Sequence, residues 1–65
     1  MHCTGSIHFN DGSSGDPAWI GVRVEGADIG LAVSLRDDGD LEVFLGRAEV
    51  EALRDALANA IAELP

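Results

Sequence analysis

The chain has no lysine and only four arginines among its 65 residues, so positive charge is scarce. A surface without clustered basic groups repels nucleic acid and anionic membrane, which excludes direct nucleic-acid binding and membrane binding as functions. Twelve carboxylates leave a formal net charge of −8. Such a surface is expected to attract proteins that themselves hold an anion. Acid enrichment for solubility alone, as in salt-adapted proteins, stays open as an alternative.

Cysteine and long apolar runs are also scarce. Cys3 is the only cysteine, which excludes an internal disulfide and fits a reducing compartment. No apolar run approaches the roughly 18 residues of a membrane span, and the first residues lack the basic and apolar regions of a signal peptide. We therefore expect one complete domain over residues 1–65, located in the cytoplasm.

Apolar residues recur at every second position between Trp19 and Leu45, which is the period of half-buried strands. The pattern predicts strands over about 18–25, 28–36 and 40–45, and a similar alternation leaves a further N-terminal strand over 1–9 as a possibility. The residues predicted to share one apolar face are Ile20, Val22, Val24, Ile29, Leu31, Val33, Leu35, Leu41, Val43 and Leu45.

The two predicted hairpins follow from their turn residues. Gly26-Ala27 suits a two-residue type II′ turn, which places Glu25 opposite Asp28. The second hairpin needs a three-residue loop over 37–39, with Gly39 in the left-handed conformation. That loop pairs Leu35 with Leu41 and Arg36 with Asp40.

After Gly46 the apolar period becomes helical, and a helix is expected over about 47–64. Its apolar stripe consists of Val50, Leu53, Leu57, Ile61 and Leu64. The predicted fold is therefore α+β: an antiparallel β-meander of three strands, or four with the N-terminal segment, and one C-terminal α-helix packed on one face. The helix is expected to cover the apolar face and close a two-layer core.

No arrangement of residues predicts catalysis, a metal site or a cofactor. His2, Cys3 and His8 do not converge, because a strand sends Cys3 to the face opposite the two histidines. The serines and histidines form no Ser-His-Asp pattern. The turns at 10–12 and 37–40 are rich in aspartate but lack the ligand spacing of an EF-hand, so calcium binding remains a weak alternative. We expect a protein that is not an enzyme.

Carboxylates are expected to gather at one end of the sheet. The loop over 10–17, the turn over 37–40 and the end of the helix should meet there, beside the negative end of the helix dipole. The predicted partner-binding residues are Asp11, Asp16, Asp37, Asp38, Asp40, Glu42 and Glu63. A secondary contact patch is predicted at Trp19, Phe44, Glu25 and Asp28.

Trp19 and Phe44 lie on the face opposite the apolar one. In the predicted register, Phe44 sits beside Ala32 and Gly21. We expect the N-terminal segment to cover both aromatic side chains through Ile7 and Phe9, since a small domain gains from burying them.

A short, strongly acidic β-meander with one helix resembles the small phage-encoded anti-CRISPR proteins, in particular a type I-C inhibitor. The resemblance covers the whole chain and rests on size, charge and element order, without a sequence motif. It implies a non-enzymatic inhibitor, working in the host bacterial cytoplasm, that binds the CRISPR surveillance complex (Cascade) and blocks recognition of target DNA. The acidic surface would mimic DNA on a basic DNA-binding surface of a Cas subunit, and a monomer is expected.

Two alternatives stay open. One is a small acidic bacterial protein-protein interaction module, for example a homodimer through the exposed sheet face, in which Trp19 and Phe44 matter more than the carboxylates. The other is an enzyme subunit or a metal-dependent protein.

Overall fold

Four strands and one helix make up the part of the chain that the computed structural model describes. This part covers residues 2–36 and 39–65, with the backbone alone at residues 2 and 3. The elements are β1 (His2–Asn10), β2 (Pro17–Glu25), β3 (Asp28–Leu35), β4 (Gly39–Leu45) and α1 (Arg47–Glu63). The strands form one antiparallel sheet in the order β1-β2-β3-β4. The predicted α+β fold is confirmed, including the fourth strand at the N-terminus.

The hairpin between β2 and β3 has the predicted turn and register. Gly26 has a φ of +61°, and among the described residues only glycines have a positive φ, which excludes a type I′ turn and leaves type II′. Glu25 lies opposite Asp28, and Val22 lies opposite Leu31, as predicted.

The register predicted for the hairpin between β3 and β4 is wrong by two residues. Leu35 pairs with Gly39 rather than Leu41, and Asp40 pairs with Ser34 rather than Arg36. A shift of two residues leaves every side chain on its predicted face, so the hydrophobic pattern does not distinguish the two registers. Gly39 does have the predicted left-handed conformation, with a φ of +83°, but it is the first residue of β4. Residues 37 and 38 lie outside the described part.

Directly paired residues of neighbouring strands lie on the same side of a sheet, so the registers define two faces. The apolar face carries Ile7, Phe9, Ala18, Ile20, Val22, Val24, Ile29, Leu31, Val33, Leu35, Leu41, Val43 and Leu45. The opposite side, which we call the groove face, carries His8, Trp19, Gly21, Arg23, Gly30, Ala32, Ser34, Asp40, Glu42 and Phe44.

The prediction that Ile7 and Phe9 cover the two aromatic residues of the groove face is wrong. Ile7 pairs with Ile20 and Phe9 pairs with Ala18, which places both side chains on the apolar face. The sequence pattern shows that β1 alternates, but only its pairing with β2 decides which half of the alternation faces which side. Phe44 is consequently 49% exposed.

Helix α1 begins directly after β4, with Gly46 as its N-cap. The Gly46 N–H donates a 2.8 Å hydrogen bond to Glu49 Oε1, which closes the first turn. The helix packs against the sheet through β3 and β4, where Ile29 and Val50 line a common cavity of about 230 Å³. No helix within the described ranges is long and apolar enough to cross a membrane.

The two-layer core expected within one chain is not closed. Among the described residues, no apolar side chain reaches full burial. The later part of the helix stripe is the most exposed, with Leu57 at 57%, Ile61 at 67% and Leu64 at 70%. A single chain therefore forms the two layers but leaves most of their facing surfaces open.

Replacement of Gly26 by alanine tests the turn between β2 and β3. Because a side chain is strained at a positive φ, Gly26→Ala is expected to lower the free energy of unfolding by about 1–2 kcal/mol. Urea denaturation followed by circular dichroism measures the loss. Gly12→Ala is the matched control, since Gly12 has no positive φ and an added Cβ meets nothing within 4 Å. Equal losses in the two variants would contradict the turn assignment.

Candidate functional site

The groove face carries a concave site that is lined by residues of all four strands. His8, Trp19, Ser34 and Asp40 form one row across the four strands. The next row carries small residues in its middle, so the larger side chains around them enclose an open groove of about 480 Å³. That volume lies within the range of pockets that bind small molecules.

The groove has an aromatic wall and an acidic wall. His8 and Trp19 line it on one side, and Asp40 and Glu42 line it on the other. Ala32 and Ser34, on the strand between them, form its floor. The strand order places the two walls apart, since β1 and β2 supply the aromatic rings and β4 supplies the carboxylates.

The aromatic wall depends on a glycine. The Trp19 indole folds along its own strand over Gly21, which is buried, and a Cβ at that position would overlap the six-membered ring. His8 lies beside Trp19 across the β1-β2 pair, with ring centroids 6.3 Å apart and planes tilted by 51°. The missing side chain at position 21 therefore gives the indole room to lie against its own strand, where Trp19 lines the groove.

A second cluster holds the acidic wall in place. Arg23 donates a 2.9 Å hydrogen bond to Glu42 Oε1, and both side chains are about two-thirds buried. The guanidinium carbon also lies 5.5 Å from the centre of the Phe44 ring, within cation-π distance. Gly30 lies beneath this cluster, since a Cβ there would approach Arg23, Glu42 and Phe44 to 3.1–3.2 Å. Glu42 is therefore oriented by neighbours, whereas Asp40 is exposed at the rim.

The loop between β1 and β2 has its own hydrogen-bonded structure around Asp11. Asp11 Oδ2 accepts hydrogen bonds from the Ser14 N–H at 2.8 Å and from the Ser14 hydroxyl at 2.9 Å. The loop is closed by the Asp11 N–H, which donates to the Asp16 carbonyl at 2.8 Å. The hydrogen bonds from the Ser14 N–H and hydroxyl lower the pKa of Asp11 below its ordinary value.

The structure brings together only some of the carboxylates predicted to share one end of the sheet. Asp11 and Asp16 lie in the loop after β1, and Asp40 lies at the start of β4, at the same end. Asp37 and Asp38 lie outside the described residues, so their place in this cluster stays a prediction. Arg36 also lies at this end of the sheet, where its N–H donates to the Pro17 carbonyl at 3.2 Å.

The other predicted site residues lie elsewhere. Glu42 is on the groove face beside Arg23, and Glu63 is the last residue of α1, so its proximity to the loops stays a prediction. Glu25 and Asp28 face each other at the opposite end of the sheet. Phe44 lies opposite Gly30 rather than Ala32, as a consequence of the shifted register.

The role of His8 as a partner of Trp19 was missed by sequence reasoning. In the sequence the residue stands out only as a candidate metal ligand, and its position beside the indole depends on the pairing of β1 with β2. The placement of Asp40 on the groove face could have been found, because Asp40 alternates with Leu41 along the strand.

No group of three or more histidine, cysteine or acidic side chains that could hold a metal ion occurs within the described part of the chain. Comparisons with protein-family models, with curated proteins and with solved structures found no match to this chain. The function is therefore inferred from the chemistry of the groove and of the surrounding surface.

Trp19 is the only tryptophan, so intrinsic fluorescence reports on the aromatic wall. Gly21→Ala is expected to lift the indole off the strand and shift its emission toward that of solvent-exposed tryptophan, because the new methyl group occupies the position of the ring. Gly5→Ala, where a Cβ meets nothing within 4 Å, should leave the emission unchanged. An unshifted spectrum in a folded Gly21→Ala protein would show that the indole does not need this glycine.

The pH dependence of the loop follows from the lowered pKa of Asp11. A carboxyl whose pKa is lower in the folded state stabilises the fold fully above its unfolded-state value of about 3.9 and loses this contribution as the pH falls through the folded-state value. In an NMR titration, the chemical shift of the Ser14 amide should keep its hydrogen-bonded value until the pH falls below the ordinary pKa of aspartate. Asp11→Asn is the control, since its amide oxygen still accepts but does not titrate. A Ser14 transition that persists in this variant would contradict the assignment.

Proposed function

We propose that this protein is a non-enzymatic inhibitor that occupies a basic, nucleic-acid-binding surface of a partner protein. The observation that carries the proposal is the groove between Trp19 and the carboxylates of Asp40 and Glu42. The resemblance in size, acidity and element order to anti-CRISPR proteins supports Cascade of a type I system as the partner. The site of action would then be the cytoplasm of the host bacterium.

The groove is chemically suited to an arginine or lysine side chain of the partner. A guanidinium group can stack on the indole of Trp19 while it donates hydrogen bonds to carboxylate oxygens on the opposite wall. Charge-assisted hydrogen bonds of this kind are about twice as strong as neutral ones. Small floor residues allow the long stem of such a side chain to lie along the strand.

The surrounding surface supports the same partner chemistry. A net charge of −8 equals the charge of about 14 Å of duplex DNA, since duplex carries one charge per about 1.7 Å. Asp11 and Asp16 extend the negative surface beyond the groove at the same end of the sheet. Side chains that normally hold phosphate would therefore meet carboxylates at several points, and association would be fast at low salt.

An alternative is an interaction module that binds an uncharged surface through its aromatic residues. The observation that favours it is Phe44, which is 49% exposed on the same face of the sheet as the partly exposed Trp19. Aromatic side chains at the centre of a contact carry much of the binding free energy in many protein complexes. The two candidate functions differ in which side chains of the groove face contribute most to binding: the carboxylates in the inhibitor and the aromatic rings in the interaction module.

Charge reversal at the rim of the groove tests the inhibitor proposal. Asp40→Lys should weaken binding to purified type I-C Cascade at least about tenfold, equivalent to 1.4 kcal/mol, because a cation there opposes the partner's cation. Asp55→Lys is the matched control, with the same change in net charge on the exposed surface of α1, and should weaken binding far less. Surface plasmon resonance at low and high salt measures both, and added salt should weaken the wild type strongly. Equal effects of the two substitutions would exclude the groove as the contact.

Trp19→Ala separates the two candidate functions. If the inhibitor proposal holds, this variant and Asp40→Lys both weaken Cascade binding, and target DNA competes with the wild-type protein. If Trp19→Ala abolishes binding while Asp40→Lys and the triple variant Asp37→Lys, Asp38→Lys, Asp40→Lys leave it intact, the interaction module is supported and DNA mimicry is excluded.

A further inference from the structure

The apolar face and the apolar stripe of α1 are both open to solvent in a single chain. On the sheet, Leu41 is 66% exposed and Ile7 is 58% exposed. On the helix, a shallow groove is lined by residues of α1 alone, from Val50 to Ile61. Each of these surfaces lacks the layer that would cover it in a closed α+β domain.

The accessible surface gives the size of the missing contact. The chain exposes 5004 Å², whereas a compact monomer of its mass exposes about 4,000 Å² according to the usual scaling of area with mass. The excess of about 1,000 Å² per chain is close to the roughly 800 Å² that each partner buries in a standard stable interface. Burial of this area in one dimer contact is therefore enough to bring the exposed area of each chain to the range of compact monomers.

The helix covers only part of its own sheet. Only Gly46 separates β4 from α1. The hydrogen bond from the Gly46 N–H to Glu49 Oε1 fixes the start of the helix. Contact with the sheet within the described residues is limited to β3 and β4. The helix stripe is long enough for a second sheet, because the 15 residues from Val50 to Leu64 span about 21 Å and four strands span about 14 Å.

Among the described residues, the apolar face is free of charged side chains, so a second copy of the same chain can meet it without burying a carboxylate. The chain carries twelve carboxylates, yet every described side chain assigned to the apolar face is uncharged. Two copies that meet through this face keep their carboxylates on the outside, where repulsion is screened by water and salt. A shortage of charged residues at the centre is typical of interfaces between identical subunits.

We propose that the protein is a homodimer in which α1 of each copy covers the apolar face of the other. The contact is isologous. The same contact, between the helix stripe of one chain and the apolar face of the other, therefore occurs twice in the dimer. The groove face of each copy stays outside the contact. This dimer differs from the monomer expected from the sequence, and it uses the face opposite the one that carries Trp19 and Phe44.

The melting temperature of the unmodified protein tests the proposal without any substitution. For a dimer whose unfolding releases two chains, a rise in protein concentration from about 1 µM to about 100 µM should raise the melting temperature by on the order of 10 °C. Light scattering after size exclusion should give twice the chain mass of 6.8 kDa. A mass of one chain at the highest concentration, together with a melting temperature independent of concentration, would overturn the proposal.

Paired substitutions on α1 locate the contact. Leu57→Glu with Ile61→Glu adds two charges to the stripe and should shift the protein to single chains with reduced helicity. Ala52→Glu with Asn59→Glu adds the same charge to the opposite, exposed side of the helix and should leave the dimer mass and helicity unchanged. On the sheet, Leu41→Glu should act like the stripe variant. A dimer held by edge-to-edge pairing of the two sheets would persist in the stripe variant and in Leu41→Glu. That result would overturn the assignment of the apolar face as the contact.

The dimer proposal and the proposed function can be contradicted independently of each other. Asp40→Lys should leave the concentration dependence of the melting temperature unchanged, because Asp40 lies on the groove face. A loss of the dimer in Asp40→Lys would contradict an arrangement in which the two copies meet through their apolar faces.

Discussion

The pairing of β2 with β3 is the constraint on which the rest of the structure depends. Its register is set by a type II′ turn in which Gly26 takes a positive φ and Glu25 meets Asp28. This pairing places Trp19 beside Ser34, and Gly21 beside Ala32. The central hairpin thereby supplies the indole and the floor of the groove on one side, and the middle of the apolar face on the other.

Small residues on the groove face have a shared physical role. Gly21 leaves room for the indole of Trp19, and Gly30 leaves room for the cluster of Arg23, Glu42 and Phe44. A side chain at either glycine would displace the groups that line or support the groove. The two glycines therefore shape the groove by leaving space for the side chains that line it or support its walls.

The chain separates its two kinds of surface by the alternation of its strands. The rings of His8, Trp19 and Phe44 and the carboxylates of Asp40 and Glu42 lie on the groove face, whereas the apolar face, which includes Phe9, consists of uncharged side chains. Burial of one side by a second copy would leave the other side available to a cationic partner. In the proposed dimer, two grooves would lie on opposite outer surfaces, so that each copy could meet a cationic partner.

The sequence by itself determined the order of elements, the faces of β2, β3 and β4, the type II′ turn at Gly26 and the helix start at Gly46. These features depend on local periodicity and turn chemistry, which can be recognised in the sequence without the tertiary structure. The register of β3 with β4 was not determined, because a shift of two residues preserves the alternation of faces. Which way Ile7 and Phe9 point was decided only by the pairing of β1 with β2, and that pairing also brought His8 to Trp19. The exposure of the apolar face was likewise decided only in the tertiary structure: an apolar stripe predicts that a helix will be covered, but it does not identify the surface that covers it.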